Sequence, residues 1–292
     1  MTPDTEVNPA PREQNGSRLG DAIGSLRNYS RALPTLIALA ISVTSLLISI
    51  NTSQFNQTRQ LRDRLTDTFD RYLSLQVSRY QFSLDAAESA DNPQLVGSYN
   101  DMANILMQQS RSLLFQAIDI AEQMEDRMNT TDYLTIGGGL MLTNDSLLAG
   151  EFYQKAIAHS ENDIELMRAR GAYASYLMSV PSTVEEGRQE YARLVAHVEQ
   201  MAIDEDNRYF NLMQTYDTWA RSEVYVGAFA DALQKTDAAC EAALRISNSI
   251  MRQNAVYAVN LGISSVQFSV QNAQQQGQAA PFLPQGVKFC QG

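Results

Sequence analysis

Few residues of this sequence have the type and spacing that catalysis or metal binding requires. His159 and His197 are the only histidines, and neither has a second histidine or a cysteine at metal-ligand spacing. The acidic run IDEDNR, residues 203–208, lacks the glycine and the bidentate glutamate of a calcium loop, so we expect it to cap a helix. The run IGGGL, residues 136–140, is not followed by the Gly-Lys-Ser/Thr of a phosphate loop, and no Gly-x-Ser-x-Gly occurs. We therefore predict no catalytic residue, no metal site and no cofactor, and a protein that is not an enzyme.

The two cysteines are the remaining candidates for chemistry. Cys240 falls in a predicted helix, and Cys290 lies close to the C-terminus. They could form a disulfide that ties the C-terminal segment to that helix, or they could be two unrelated thiols. A disulfide requires an oxidising compartment. We predict the disulfide, which would close a loop of about 50 residues and stabilise the fold by roughly 4 kcal/mol in the chain-entropy model.

The stretch RALPTLIALAISVTSLLISINTSQFNQTR, residues 31–59, has no charged residue between its two terminal arginines. Residues 32–50 would span about 28 Å as a helix, close to the ~30 Å of a bilayer's hydrocarbon core. A cleaved signal peptide would have a shorter apolar run and a small-residue cleavage site, and a soluble core helix would need apolar neighbours on every face. We predict a single transmembrane helix over residues 32–50.

One face of this predicted span carries small residues at spacings of four, three and four: Ala38, Ser42, Ser45 and Ser49. Small faces let membrane helices approach closely and associate, although small residues also occur in spans that do not pair. We predict that this face associates with a second copy or with a partner helix in the lipid bilayer.

The charge is distributed unevenly about the predicted span. Formal net charge is −11, and all eleven excess negative charges lie in residues 59–292. Such an acidic domain repels phosphate backbones, which argues against a nucleic-acid partner. Lysine and arginine counts on the two flanks are equal, but Arg27 and Arg31 adjoin the span, and the predicted disulfide favours an outer acidic domain. We expect a bacterial cytoplasmic membrane, with the N-terminus inside and the large domain in the periplasm.

Helical periodicity accounts for most of the remaining chain, so we predict an all-α fold. Residues 1–31 are rich in Gly and Pro and should form a disordered cytoplasmic tail, and residues 51–128 should form a membrane-proximal helical hairpin. Its first helix has two apolar stripes, which predict burial among other helices on both faces. The first comprises Leu61, Leu65, Tyr72, Leu75, Phe82 and Ala86, and the second comprises Phe69, Leu73, Val77, Tyr80 and Leu84.

A repeat signal follows in residues 129–246. Large and small residues alternate there at the offsets of two helices that cross in a hairpin, most clearly at Tyr133, Ile136, Gly137, Leu140, Ala149, Tyr153 and Ala156. Weaker copies contain Gly187, Tyr191 and Leu194, and then Tyr216, Trp219, Ala220, Gly227, Ala232 and Ala239, with Glu223 and Thr236 departing from the pattern. This stretch resembles the tetratricopeptide-repeat family. The spacing between copies is irregular, and an unrelated antiparallel helical bundle would share part of the pattern.

The resemblance implies a helical solenoid whose first helices line a concave face that holds an extended peptide or a partner helix. In the third copy this face would include Gln214, Asp217 and Arg221, although a solvated polar helix face explains the same residues. Residues 247–292 should form a last helix and an irregular tail. We expect a scaffold or accessory subunit of a membrane or envelope complex, with a protein partner; the alternative is an extracytoplasmic ligand-sensing or solute-binding helical domain.

The disulfide prediction can be checked on the intact protein. Mass spectrometry of the unfolded, non-reduced chain should find no thiol that reacts with an alkylating reagent, and reduction should make both cysteines reactive. Two alkylatable thiols in the non-reduced protein would show that Cys240 and Cys290 are unrelated.

Overall fold

The protein is an all-α structure. The structure is a computed structural model that describes residues 17–124, 127–143, 145–275 and 289–291, and these residues contain no β-strand. The helices in the described ranges are α1 (Ser17–Glu88), α2 (Pro93–Met124), α3 (Thr130–Leu142), α4 (Ser146–Ala158), α5 (Asp163–Ser179), α6 (Val184–Gln200), α7 (Glu205–Tyr225), α8 (Phe229–Arg245) and α9 (Ser249–Gln275). A short 3₁₀ turn, Pro181–Thr183, joins α5 to α6.

The chain divides into two compact units, Met1–Arg62 and Asp63–Gly292. In the first unit α1 begins at Ser17, so residues 17–31 are helical where the sequence predicted a disordered tail. No proline lies between Pro11 and Pro34, and the glycines there lower helix propensity without interrupting backbone hydrogen bonds. Residues 1–16 lie outside the described residues.

The predicted membrane span lies within α1. Among the side chains that the structure describes, no helix is long and apolar enough to cross a membrane. Of residues 32–50, however, only the side chains of Ser42, Thr44 and Ser49 are described, and all three are exposed. The prediction of a span, and the contribution of Ala38 and Ser45 to an association face, therefore lie outside the described side chains.

In the second unit, α1 buries one of its two apolar stripes. Leu65 and Tyr72 of the first stripe are almost completely buried, and the Phe82 ring lies 6.2 Å from the Tyr99 ring of α2. The second stripe remains exposed at Leu73, Val77, Tyr80 and Leu84. The prediction of burial on both faces is therefore wrong for the second stripe, because the described helices pack against the first stripe only.

The helices after α2 form a series of hairpins. Helices α3 and α4, α5 and α6, and α7 and α8 pack as sequential pairs, and their short connections make each pair antiparallel. Helix α5 contacts both α3 and α7, so the first helices of the three pairs stand in one row. Helix α9 closes the series by packing against α7 and α8.

Glycines allow several of these helices to approach each other closely. A Cβ atom added to Gly137 of α3 would lie 2.9 Å from Cε1 of Tyr153 in α4. One added to Gly187 of α6 would lie 2.9 Å from the backbone nitrogen of Met178 and 3.0 Å from the carbonyl oxygen of Ala174 in α5. Side chains at these crossings would separate the helices, so the absence of a Cβ sets the spacing within the α3–α4 and α5–α6 pairs.

The acidic run at residues 203–208 caps a helix, as predicted. The Asp204 carboxylate accepts a hydrogen bond from the backbone N–H of Asn207 and begins α7. Asp206 accepts hydrogen bonds from the backbone N–H groups of Ser247 and Asn248, at 2.6 and 3.0 Å. The bonds of Asp206 tie the start of α7 to the α8–α9 connection. The Asn207 N–H lowers the pKa of Asp204, and the Ser247 N–H lowers the pKa of Asp206.

The C-terminal segment is attached at two points. Cys290 is joined by a disulfide to Cys240 of α8, with the two Cα atoms 5.6 Å apart. The Asn260 side chain of α9 binds the same residue: the Cys290 N–H donates to Asn260 Oδ1 at 2.8 Å, and Asn260 Nδ2 donates to the Cys290 carbonyl at 3.1 Å. Cys290 is consequently buried in the core that α5 to α9 share.

Two glycine-to-alanine substitutions test the role of the close crossings. Gly187→Ala should lower the free energy of unfolding by about 1–3 kcal/mol, because the new methyl group meets backbone atoms of α5 that cannot move aside. Gly171→Ala is the matched control: its Cβ would lie at an ordinary 3.5 Å from Leu194 Cδ2, and alanine improves helix propensity by up to about 1 kcal/mol. Urea denaturation measures both, and equal stabilities would contradict the proposed role of Gly187.

Candidate functional site

A groove runs between α5 and α7, the first helices of the second and third pairs. It consists of two concavities of about 260 and 270 Å³ that share Ser175 and Thr218. The first is lined by Met167, Arg168, Gly171, Ala172, Ser175, Tyr191, Leu194, Gln214, Thr215 and Thr218. The second is lined by Ser175, Met178, Ser179, Thr218, Arg221, Ser222 and Tyr225. The shared residues make the two concavities one continuous surface.

Small side chains open the groove, and α6 supplies its floor. Gly171, Ala172 and Ser175 lie along one side of α5, where larger side chains would fill the space. Tyr191 of α6 is completely buried beneath them. Its hydroxyl lies 2.6 Å from Ser175 Oγ and 3.0 Å from Ser222 Oγ, so a single phenol links α5 to α7.

Burial determines the protonation of this phenol. Loss of water around Tyr191 raises its pKa, while the hydrogen bonds that it shares with Ser175 and Ser222 act in the opposite direction. The ordinary pKa of tyrosine is already near 10. At neutral pH Tyr191 therefore keeps its proton and donates one hydrogen bond while accepting the other.

The structure separates the three residues that the sequence assigned to a partner-binding face. Gln214 lines the first concavity and Arg221 the second, and both are exposed. Asp217 lines neither concavity; its carboxylate lies against Gly262 of α9 and pairs with Arg221, with Nη2 to Oδ2 at 2.8 Å. Burial raises the pKa of Asp217, and the neighbouring guanidinium partly offsets that rise. Asp217 thus contributes to the α7–α9 contact and reaches the groove only through Arg221.

A buried carboxylate lies behind the groove. Glu223 of α7 is 1% exposed, and Arg188 of α6 binds it through two hydrogen bonds, Nε to Oε1 at 2.9 Å and Nη2 to Oε2 at 2.8 Å. The indole N–H of Trp219 donates a third hydrogen bond to Oε1 at 2.9 Å. These bonds to Glu223 raise the pKa of Arg188. Glu223 departs from the repeat pattern, and in the structure Arg188 and Trp219 are its two specific hydrogen-bond partners.

Aromatic stacking joins this carboxylate to the groove floor. The Trp219 ring stacks on Tyr191 with centroids 5.3 Å apart and planes 7° from parallel. The ammonium group of Lys235 in α8 lies 4.0 Å from the centroid of the Trp219 ring and forms a cation–π contact with it. The groove is consequently supported by α6 and α8 as well as by the two helices that line it.

Sequence reasoning did not identify several residues that shape the site. Tyr191 was recognised only as a repeat position, while Ser175, Thr218 and Arg188 were not assigned a role. Arg188 and Glu223 are 35 residues apart, so no local pattern pairs them. Likewise, no residue near Ser175 in the sequence indicates that its hydroxyl belongs to the site.

The other candidates from the sequence do not gather into a reactive site. His159 Nδ1 lies 2.9 Å from the Lys155 carbonyl oxygen of its own helix, and His197 Nε2 lies 3.6 Å from Asp163 Oδ1. Within the described ranges, no group of three or more His, Cys, Asp or Glu residues is placed to hold a metal ion. Of the residues predicted for a partner-binding face, Gln214 and Arg221 line the groove.

Comparison with known proteins adds no family assignment. No protein-family model, no curated protein and no solved structure matches this chain. The site is therefore interpreted from its own geometry.

Removing Arg188 should reveal how much the buried carboxylate depends on its partner. Arg188→Ala leaves Glu223 buried without its bidentate partner, and we expect the free energy of unfolding to fall by about 3 kcal/mol. Arg71→Ala is the control, because Arg71 and its partner Asp67 on the same helix are both exposed, and its loss should cost less than about 1 kcal/mol. Fluorescence of Trp219, the only tryptophan, reports unfolding in urea; similar losses in the two variants would argue against a special role for the pair.

Proposed function

We propose that this protein is a membrane-anchored, non-catalytic interaction protein that holds a segment of a partner protein along the α5–α7 groove. The observation that carries the proposal is the continuity of the two concavities through Ser175 and Thr218. A groove of this form suits an extended peptide or one face of a helix better than a compact metabolite, because compact ligands favour enclosed pockets.

The packing of the helix pairs supports this proposal. The large and small positions around Gly137 and Tyr153 meet at a helix crossing, and the first helices α3, α5 and α7 stand in one row. Such rows form the extended binding surfaces of helical repeat proteins. We propose that residues 129–246 form a solenoid of this kind, with partner binding on the row of first helices.

The chemistry of the groove limits the kind of segment that it would accept. Met167 provides an adaptable apolar contact, and the hydroxyls of Ser175 and Thr218 provide hydrogen-bonding groups. Arginine supplies the charged groups among the described lining residues, at Arg168 and Arg221, and neither concavity has a carboxylate in its lining. We infer a partner segment with apolar side chains and neutral or acidic polar groups, since a basic segment would meet these arginines.

Anchoring in a membrane is the second part of the proposal. Residues 32–50 have the length and composition of a transmembrane helix. We propose that they hold the acidic domain outside a bacterial cytoplasmic membrane, and that Ser42 and Ser49 belong to a helix-association face together with Ala38 and Ser45. The Cys240–Cys290 disulfide supports this orientation because disulfides persist in oxidising compartments.

A specific observation also favours the alternative of ligand sensing. A concavity of about 620 Å³ lies between α1 and α2, lined by Asp70, Arg71, Ser74, Leu75, Gln109, Ser112 and Leu113. Its volume falls in the range of small-molecule sites. A small-molecule ligand would raise the melting temperature of the full chain, and Ser112→Trp would abolish that shift by filling the space.

Site-specific crosslinking in cells tests the principal proposal. A photoreactive benzoyl-phenylalanine replaces Thr218, whose side chain lies where the two concavities meet and whose hydroxyl bonds only within its own helix. The control carries the same group at Gln234, an exposed position of α8 that lines neither concavity. We expect a discrete crosslinked product from position 218 that is missing from position 234.

A variant that fills the groove completes this test. Ala172→Trp in the Thr218 photoreactive chain should reduce the product at least about tenfold, because the indole occupies the first concavity that the partner segment needs. Equal products with and without Ala172→Trp, or a chain that crosslinks to nothing, would contradict partner binding in this groove.

A further inference from the structure

Helix α9, the last helix of the series, has an exposed apolar face. Four large side chains lie along it: Ile250, Tyr257, Leu261 and Phe268, with exposed fractions of 72, 66, 53 and 65%. At about 100° per residue, all four fall within about 40° of one another, so they form a straight stripe. The helix that ends a repeat array normally has a polar outer face. The apolar stripe is therefore a surface that a partner could cover.

The spacing of the stripe is the same in both directions along the helix. The four residues are separated by seven, four and seven positions. When two such helices lie antiparallel about a two-fold axis level with Val259, Ile250 faces Phe268 of the other copy and Tyr257 faces Leu261. A two-fold contact requires this reciprocity, because each residue pair occurs twice.

The charge distribution does not oppose a second copy at this surface. Two copies of a chain with net charge −11 repel each other, but α9 contains one charged residue among its 27. That residue, Arg252, lies on the opposite side of the helix and donates a hydrogen bond to the Ile246 carbonyl oxygen. A contact along the stripe consequently brings no like charges together.

The exposed stripe of α1 is less suitable for self-association. Leu73, Val77, Tyr80 and Leu84 are also exposed, but Asp85 and Arg79 lie next to this stripe in the sequence, and Asp70 falls on the same heptad seam. A two-fold contact along the α1 stripe would bring these charged side chains of one copy close to the like-charged side chains of the other copy. Of the two stripes, that of α9 better fits a second copy.

We propose that α9 is a self-association surface through which two copies of this chain form an antiparallel, two-fold contact along Ile250, Tyr257, Leu261 and Phe268. The proposal does not depend on the groove between α5 and α7. A single helix face is smaller than the ~800 Å² per partner that standard interfaces bury. We therefore expect reversible association.

Cysteine crosslinking of full-length chains in a nonionic detergent tests the geometry. One chain carries Ile250→Cys and the other Phe268→Cys, and a short bismaleimide joins only thiols that are close together. In the antiparallel contact residue 250 meets residue 268 of the other copy, whereas two copies of residue 250 are about 27 Å apart along the helix. We expect a crosslinked dimer when the two chains are mixed and none when either chain is alone.

Matched charge substitutions identify the surface responsible. Leu261→Glu, added to both cysteine chains, should reduce the crosslinked dimer at least about tenfold, because it places like charges in the contact. Leu73→Glu is the control: the replaced leucine of α1 has the same exposed fraction, 53%, and the crosslink should persist. Circular dichroism and thermal melting confirm that both variants remain folded.

Three results would overturn the proposal. Crosslinking of each chain alone would indicate parallel pairing, and a crosslink that persists undiminished with Leu261→Glu would show that the α9 stripe does not form the contact. No crosslink in the mixture would show that the stripe does not pair, including the case in which residues 276–288 of the same chain cover it. None of these results bears on crosslinking at Thr218, so the two proposals fail separately.

Discussion

Close approach between helices at positions without a side chain is the constraint on which this array depends. Gly187 of α6 lies against the backbone of α5, and Gly262 of α9 lies against the Asp217 carboxylate of α7. A methyl group at Gly187 would push α5 and α6 apart, and one at Gly262 would displace the Asp217 carboxylate. Because interiors pack as densely as organic crystals, such a shift would spread to neighbouring pairs. The groove between α5 and α7 is a consequence, since its width follows from how α5 and α7 each pack on α6.

The buried Glu223 shows how the array accommodates a charge in its core. A buried carboxylate is costly unless it is paired and hydrogen-bonded. Arg188 and Trp219 supply three strong hydrogen bonds to it, and Trp219 stacks in turn on Tyr191. The same chain of contacts that satisfies the charge therefore supports the floor of the groove. The cluster joins α6 to α7 through Arg188 and Glu223, and α7 to α8 through Trp219 and Lys235.

The two proposed binding surfaces lie on different elements and have different chemistry. The groove has hydroxyl groups and arginines on the row of first helices, which suits a neutral or acidic partner segment. The α9 stripe is apolar and free of charge, which suits a second copy of an otherwise acidic chain. Because the surfaces share no residue, one molecule could use both at once. In a membrane-anchored protein, self-association would also present two grooves to one partner and raise its effective affinity through avidity.

Much of the local structure could be predicted from the sequence. Helical periodicity predicted the all-α fold, because the spacing of apolar residues is a local property. The same holds for the cap at Asp204 and for the small residue Gly137 at a helix crossing. The apolar composition of residues 32–50 likewise predicts a span without reference to the rest of the chain. These features depend on residues close together in the sequence, which displays their spacing directly.

The tertiary structure alone decided which helix faces are covered and which distant residues meet. It buries the stripe of Tyr72 and leaves that of Leu73 exposed, although both have helical spacing. It turns Asp217 towards α9 while Gln214 lines the groove, and it pairs Arg188 with Glu223 across 35 residues. Each outcome depends on distances between separate helices, and those distances are set by packing at crossings such as Gly187 and Gly262. The sequence by itself determined the helices and their caps, and the packing of those helices determined the groove.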